Sequence, residues 1–366
     1  YEPCDNSLLV NNALAFNVGD TVVLMQMKGA LIDSSNTTSF GQVADYRNSG
    51  NYEFNYISGK NGNRLQLKNQ LLHGYDIPDG KVQLIRVPYY QSVRITSPLT
   101  CLAWDGGKGG VLVLNVLGSI EMLADIEISG TGFRGARMET LHSECNNTGI
   151  YFGASSTMGA LKGEGIVNLG SDKVRGRGAA GNGGGGGNDH NSGGGGGSNA
   201  GAGGLGGREF ICVATQVDNG GMGGKSLIYS SATNKIFMGG GGGAGDANNG
   251  HAGDAGSGGG IAIIKAQTII PNGQSIISRG HHGADCTGDC WDGQSGGGAG
   301  GTIVLDYTTV TGNLQVNTMG GDGGDVRNNN TPLGYNGPGG GGGGGMLSIS
   351  AAALPANILH TSTGRM

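Results

Sequence analysis

Charged and aromatic residues are scarce in this sequence. Asp, Glu, Lys and Arg make up 13% of the 366 residues, and Phe, Trp and Tyr make up 5%. The 22 Lys and Arg residues are scattered singly and the formal net charge is -5, so no basic stripe is available to contact phosphates. Nucleic acid is therefore not an expected partner.

Long apolar segments are also missing. The longest, such as Thr21–Met27 and Val111–Val116, are far shorter than the roughly 20 residues that span a bilayer. We expect no membrane-spanning segment. The chain does not open at Tyr1 with a charged stretch followed by an apolar one, so we expect any signal peptide to have been removed.

Glycine is the residue that is abundant, at 81 of 366 positions, about three times its usual share. A chain of this composition cannot run an ordinary side-chain core through its whole length. The glycines nevertheless form discrete runs between short apolar segments, and the chain has only 8 prolines. This pattern favours an ordered structure over a disordered one.

The first 100 residues have the alternating pattern of a small β domain. Four segments predict strands, with the tight-turn pair Asn61-Gly62 between two of them: Thr21–Met27, Tyr52–Ile57, Arg64–Lys68 and Val82–Val87. We predict an antiparallel barrel or sandwich in residues 1–100 and a glycine-rich domain in residues 101–366.

Two glycines followed by a short apolar strand recur in the second part of the chain, starting at Gly109, Gly259, Gly300 and Gly344. In the first three copies a second strand follows and a glycine closes the unit, at Gly130, Gly280 and Gly320. This is a repeat of about 20 residues. Residues 224–229 and 236–239 predict a shorter copy with two strands.

Pure glycine runs lie between these units, at 183–187, 193–197, 239–243 and 339–345. A glycine strand has no side chain to pack, whereas a polyproline-II-type helix has three residues per turn and leaves its backbone groups free for neighbours. Only glycine allows such helices to approach closely. The predicted fold class is all-β, with a small antiparallel domain followed by repeated short β units and a polyglycine-II helix bundle.

The six cysteines are Cys4, Cys101, Cys145, Cys212, Cys286 and Cys290. We interpret this even number as three disulfides formed in an oxidising compartment, because a single C-x3-C without a second pair is a poor zinc motif. The spacing leaves many pairings open. The pairing we predict is Cys286 with Cys290, Cys4 with Cys101, and Cys145 with Cys212.

Several segments resemble the N-terminal region of very large cell-surface adhesins of the Bacteroidota: 16–30, 50–53, 82–85, 103–107, 132–135, 162–166 and 237–245. Such proteins include SprB-like gliding-motility adhesins, which the type IX secretion system exports to the outer membrane surface. The resemblance implies a secreted, surface-displayed protein and, since no sorting domain follows Met366, a fragment of a longer one. The glycine-rich half is also similar to the polyglycine sandwich of phage tail-fibre adhesins and to the glycine-rich ectodomain of anaplastic lymphoma kinase.

Three motifs match catalytic or nucleotide-binding signatures in their residue pattern but not in their structural context. Residues 130–135 fit the dinucleotide fingerprint without a βαβ unit, and 219–226 resemble a phosphate loop with Asn219 in place of its first glycine. Residues 293–297 fit a nucleophile elbow without the flanking strand and helix. We expect no catalytic residue, cofactor or metal ion, and interpret the Asp-rich loops near Asp285 and Asp322 as solvated, with calcium binding left open.

The function we predict is that of an adhesin or scaffold module that binds a surface glycan or a protein. The candidate loops are 189–192, 248–251, 281–291 and 327–335, with five named side chains: His281, His282, Trp291, Asn329 and Tyr335. The alternative is a polysaccharide-acting enzyme on a β-solenoid. In that case Trp104 and Trp291 are expected to line its groove.

Overall fold

The computed structural model describes residues 1–141, 145, 147–208, 219–285, 291–326 and 336–365. Within these residues the chain has 18 strands and no helix, so the all-β prediction is confirmed. It follows that this part of the chain has no helix capable of crossing a membrane.

The amino-terminal region is a five-stranded antiparallel sheet in the order β1-β6-β5-β2-β7. Its strands are β1 (Ser7–Leu9), β2 (Thr21–Gln26), β5 (Tyr52–Asn61), β6 (Arg64–Leu67) and β7 (Val82–Val87), and a separate pair is formed by β3 (Leu31–Ile32) and β4 (Val43–Asp45). The four predicted strands are confirmed. Because β1 and β7 each have one partner, the sheet is open and is not a closed barrel.

Strand β2 shows why this sheet forms. Its side chains alternate between two faces, as the period of two in a strand requires. Val22 and Leu24 pack with Leu65 in a core that belongs to the sheet itself. Val23 and Met25 lie in a second core shared with the glycine-rich region. Strand β2 is thus buried on both of its faces.

Two parallel sheets follow, with the core of the second half between them. The larger contains β8 (Tyr89–Tyr90), β9 (Val93–Ile95), β10 (Val111–Val116), β11 (Ser119–Met122), β13 (Ile261–Ile270), β15 (Thr302–Val310) and β17 (Met346–Ile349). The smaller contains β12 (Ile126–Glu127), β14 (Ser275–Ile277), β16 (Leu314–Asn317) and β18 (Ile358–Thr361). Strands β8 and β9 precede residue 100 but belong to the larger sheet. The domain boundary at residue 100 stays a prediction.

The register of the larger sheet follows the glycine pairs of the sequence. Val111 pairs with Ile261, Ile261 with Thr302, and Thr302 with Met346, and each of these residues directly follows two glycines. The fourth copy also has a second strand, β18, which the sequence pattern did not indicate. The two strands predicted within residues 224–239 are wrong, because that segment is irregular and places Leu227 and Phe237 in the shared core.

The glycine segments pack side by side and exchange backbone hydrogen bonds. We call this array the glycine lattice; it consists of residues 183–187, 193–197, 201–207, 219–224, 239–247, 253–260, 278–284, 292–301, 318–324 and 337–345. In its central segment, 193–197, every N–H donates to another segment at 2.8 to 3.0 Å, and every carbonyl accepts from another at 2.8 to 2.9 Å. No backbone group of this buried segment is left unpaired.

The partners of the central segment repeat every third residue. Gly193 and Gly196 both donate to segment 201–207, and Gly194 and Gly197 both donate to segment 292–301. Gly195 donates to Gly185. The accepting carbonyls follow the same rule with three further segments: 219–224, 337–345 and 239–247. The central segment therefore has six neighbours.

Side chains have no room in the central segment. A Cβ atom built on any of Gly193–Gly197 would lie 1.9 to 2.3 Å from a backbone carbonyl oxygen of a neighbouring segment. Such a contact is far inside van der Waals distance, and the obstacle is backbone rather than a movable side chain. These positions are consequently restricted to glycine.

The lattice has two distinct ends. At one, which we call the sheet end, segments 253–260, 292–301 and 337–345 continue directly into β13, β15 and β17. The opposite end, the loop end, carries the connection 188–192. Segments 292–301 and 337–345 run parallel to the central segment and so begin at the loop end, while 239–247 runs antiparallel and finishes there.

A buried ion pair joins the two regions. The Nζ atom of Lys28, just after β2, lies 2.6 Å from Oε1 of Glu164, and Nε of Arg134 lies 2.9 Å from Oε2. Burial alone would raise the pKa of Glu164, but these two cations hold that pKa below its ordinary value. Burial lowers the pKa of Lys28 against the opposing pull of the carboxylate.

Candidate functional site

The loop end is built from polar residues that cross-link the glycine segments. Asn191, in the connection 188–192, has a φ of 60°, a conformation that Asn tolerates better than most residues. Its Nδ2 donates to the carbonyl of Trp291 at 2.7 Å and to Oδ1 of Asn336 at 3.2 Å. Its own carbonyl accepts from Gly337 N at 2.8 Å. One side chain thus ties three segments together.

The loop 248–251 is held by the buried carboxylate of Asp292. Its two oxygens accept backbone N–H groups of Asn248 and Asn249 at 3.2 to 3.3 Å, and that of His251 at 2.6 Å. Gln294 Nε2 adds a hydrogen bond to the His251 carbonyl at 3.2 Å. These bonds satisfy N–H groups that a tight loop would otherwise leave unpaired.

Two aromatic rings stand on this support. Trp291 is 58% exposed, and its ring centre lies 6.2 Å from that of His251, with 36° between the planes. We call this pair the aromatic platform. The backbone beneath both rings is fixed by buried Asn191, Asp292 and Gln294. The platform is therefore an ordered surface feature.

A second corner of the loop end is organised around the buried side chain of Asp189. Oδ1 accepts from Asn147 N at 2.5 Å, and Oδ2 accepts from Asn219 Nδ2. Asn147 and Asn188 also exchange two side-chain hydrogen bonds to each other's carbonyls, at 3.2 and 3.1 Å. Asn147, from the chain before 183–187, and Asn219, at the start of segment 219–224, are joined here.

The other predicted binding residues are not part of the platform. The ring of His281 lies over the backbone of Gly130, and His282 Nδ1 lies 2.9 Å from Asp322 Oδ2, so both histidines sit on the flank of the lattice. His282 and Asp322 line a recess of about 380 Å³ together with Asp285 and Asp325. Asn329 and Tyr335 lie outside the described residues.

The acidic recess does not assemble a metal site. Across the described ranges, no three His, Cys, Asp or Glu side chains are arranged to hold a metal ion. The carboxylates are instead used within the protein: Asp285 Oδ1 accepts from Asp325 N at 3.2 Å.

The predicted disulfide between Cys4 and Cys101 is wrong, since both cysteines are free. Cys4 is exposed beside the amino-terminal sheet, whereas Cys101 packs against the core between the parallel sheets and donates to Thr131 Oγ1 at 3.6 Å. One thiol is thus at the surface of the amino-terminal region and the other packs against the core of the second half. Burial raises the pKa of Cys101. Cys145 is disulfide-bonded, while Cys212, Cys286 and Cys290 lie outside the described residues.

Trp104 cannot line a groove. It is 2% exposed and packs edge-to-face on Phe133, with ring centres 5.9 Å apart. The expectation that Trp104 and Trp291 share a substrate groove is therefore wrong, because one is core and the other is surface.

Sequence reasoning named the loops 189–192 and 248–251 but missed the residues that support them. Asp292, Gln294 and Asn191 are almost completely buried, although their types are usually exposed. A usable signal was present: polar residues with short side chains flank the glycine runs, as Asn182 and Asn188 flank 183–187 and Ser192 and Ser198 flank 193–197.

Comparisons of the chain with protein-family models, with curated proteins and with solved structures found no match.

Proposed function

We propose that this chain is a cell-surface adhesin or structural scaffold module, which presents binding loops on a rigid polyglycine core. The observation that carries the proposal is the central segment 193–197, hydrogen-bonded to six neighbours, together with the cross-linked loops at one end of the same lattice. Such an arrangement holds loops in position, but it does not by itself form a deep substrate-binding cleft.

The core in this proposal is a bundle of polyglycine-II helices. Support comes from the three-residue period of the hydrogen bonds, which equals the three residues per turn of a polyproline-II helix. The absence of strand pairing within the central segment and the exclusion of any Cβ there agree with it. The four glycine-pair units are proposed as structural repeats that anchor this bundle to the parallel sheets.

Rigidity follows from the density of these bonds. A net contribution of about 0.5 to 1.5 kcal/mol per hydrogen bond is modest. However, the central segment cannot move without breaking its bonds to several neighbours at once, and water cannot replace them in a buried array. The loop connections at its end are thereby held in fixed relative positions.

The resemblance to Bacteroidota adhesins completes the proposal. On its basis we propose that the protein lies on the exterior of the outer membrane after export by the type IX secretion machinery, within a longer gliding or adhesion protein. The expected ligand is a surface glycan or a protein, and neither a cofactor nor catalysis is part of this function. Antibody labelling of intact cells tests the location: labelling only after lysis would contradict it.

Adhesion itself is tested with beads that carry the chain by its amino terminus, in a flow cell coated with mucin or with a bacterial surface polysaccharide. We expect retention that is lost when polyethylene glycol is attached at the loop end, through Asn249→Cys in a Cys4→Ser background. The same attachment through Asn63→Cys, at an exposed turn of the amino-terminal sheet, is the control. Adhesion through the loop end would be refuted if beads without the protein were retained equally well. It would also be refuted if polyethylene glycol at either site reduced retention to the same extent.

A further inference from the structure

We infer that the aromatic platform of Trp291 and His251 is a carbohydrate-binding subsite, which receives the apolar face of a pyranose ring. This inference rests on the proposed adhesin function and names the class of ligand that the loop end takes.

The first argument is the exposure of Trp291. The chain has two tryptophans, and the other, Trp104, is buried in the core. Burying a large apolar side chain stabilises a fold, so leaving most of an indole in water forfeits stabilisation that the fold obtains at Trp104. An exposed indole on an ordered backbone is typical of a recognition surface, where tryptophan is enriched.

The second argument is preorganisation. The Trp291 carbonyl is fixed by Asn191, and the backbone of His251 is fixed by Asp292 and Gln294. These three supporting residues are buried. Ligand binding then requires little ordering of the loop, which removes a cost that flexible loops carry on binding. A ring carried on backbone that is held in place suits a ligand that stacks on its face.

The third argument concerns what surrounds the rings. Of the large hydrophobic side chains that are exposed in the described part of the chain, Trp291 is the one at the loop end. Stable protein interfaces bury about 800 Å² on each partner around an apolar core, and the described residues of the loop end supply a single exposed indole toward it.

The loop that carries His251 also carries the exposed residues Asn249 and Gly250, and Asn249 supplies an amide to this surface. Amides both donate and accept hydrogen bonds, as sugar hydroxyls do. A small apolar face with a polar rim is complementary to a pyranose, whose C–H groups lie on one face and whose hydroxyls lie around the edge. This combination favours a glycan over a protein as the occupant.

The inference is tested by tryptophan fluorescence, because Trp291 is accessible to iodide and Trp104 is not. The probes are oligosaccharides of glucose, of galactose, of mannose and of N-acetylglucosamine. We expect at least one to shift the emission to shorter wavelength and to protect Trp291 from iodide. Trp291→Ala should weaken binding of that sugar at least tenfold by calorimetry, and Trp291→Tyr should restore most of it.

Tyr56→Ala is the matched control, since Tyr56 is an exposed aromatic residue (47%) on the amino-terminal sheet. It should bind the sugar as the wild type does. The inference would be overturned if no sugar at millimolar concentration changed the iodide quenching. It would also be overturned if Trp291→Ala bound the sugar with the affinity of the wild type. Bead retention on mucin but not on the polysaccharide, without sugar binding, would overturn the inference and leave the adhesin function standing with a protein ligand, whereas sugar binding without retention on either coating would refute adhesion instead.

Discussion

The amino-terminal sheet and the glycine lattice are held together by opposite means. In the sheet, neighbouring strands bring side chains such as Ile57 and Leu65 into a common core, and the backbone spacing is that of ordinary β structure. In the lattice, the central segment contributes no side chain at all, and its backbone is surrounded by the backbones of six neighbours.

This difference determines what each region tolerates. A side-chain core accepts changes of size at a cost that depends on the cavity or strain created. The central segment of the lattice has no room for even a Cβ atom, because the carbonyl oxygens that fill the space around Gly196 cannot move away without losing their own hydrogen bonds. The same fold thus combines a region of graded tolerance with one of almost none.

The largest expected effect is that of Gly196→Ala. Its Cβ would lie 2.0 Å from the carbonyl oxygen of Gly341, so we expect destabilisation of more than about 4 kcal/mol, or failure to fold. Gly107→Ala is the control, because its Cβ would meet Asp105 Oδ1 at an ordinary 3.6 Å. Urea unfolding followed by circular dichroism measures both. A Gly196→Ala protein as stable as the control would contradict the contrast between the regions.

A smaller loss is expected from Leu65→Ala in the amino-terminal sheet. Leu65 is fully buried in the sheet's own core, and truncation of such a residue costs about 2 to 5 kcal/mol through lost contacts and the cavity. Leu9→Ala, at an exposed position of β1, should change stability by less than about 0.5 kcal/mol. If Leu65→Ala proved as harmless as Leu9→Ala in the same unfolding measurement, side-chain packing would not be what holds this region.

The smallest expected effect is a change of stability with pH, caused by His360 at the place where β18 meets the end of β16. Burial lowers the pKa of His360 below its ordinary 6.5, and its Nε2 lies 2.8 Å from Thr318 Oγ1. The unfolded chain therefore binds this proton more tightly, so stability is full above about pH 6.5 and falls as the pH drops below that value.

The loss should be no more than about 1 kcal/mol, because the ring is partly exposed. Unfolding free energies at pH 7.5 and pH 5.5 should differ less in His360→Gln than in the wild type. The same pH dependence in both proteins would show that His360 does not contribute.

The strands were predictable because their signals are local. The alternation of Thr21–Gln26 specifies a strand with two faces, and a glycine pair before each apolar run marks the start of β10, β13, β15 and β17. These patterns need no knowledge of the partner strand.

The neighbours of each glycine segment were not predictable, because one run of glycine is chemically identical to another. The residues that resolve this ambiguity are the buried polar ones at the ends, such as Asn182, whose amide bonds to Ile166, Ser198 and Met238. Nor does composition distinguish the buried Trp104 from the exposed Trp291. The free Cys4 and Cys101 differ from the prediction because an even cysteine count does not reveal that one thiol is exposed and the other packs against a core.

The construction of the loop end has a consequence for the evolution of the sequence. Its connections emerge from segments that pack through their backbone atoms, so we expect a substitution or insertion within a connection to leave this packing unchanged. Residues such as Asn191 and Asp292 have to be kept, since they fasten the ends. The sequence between these fastening points is free to diverge, and one unchanging scaffold could carry a succession of recognition surfaces.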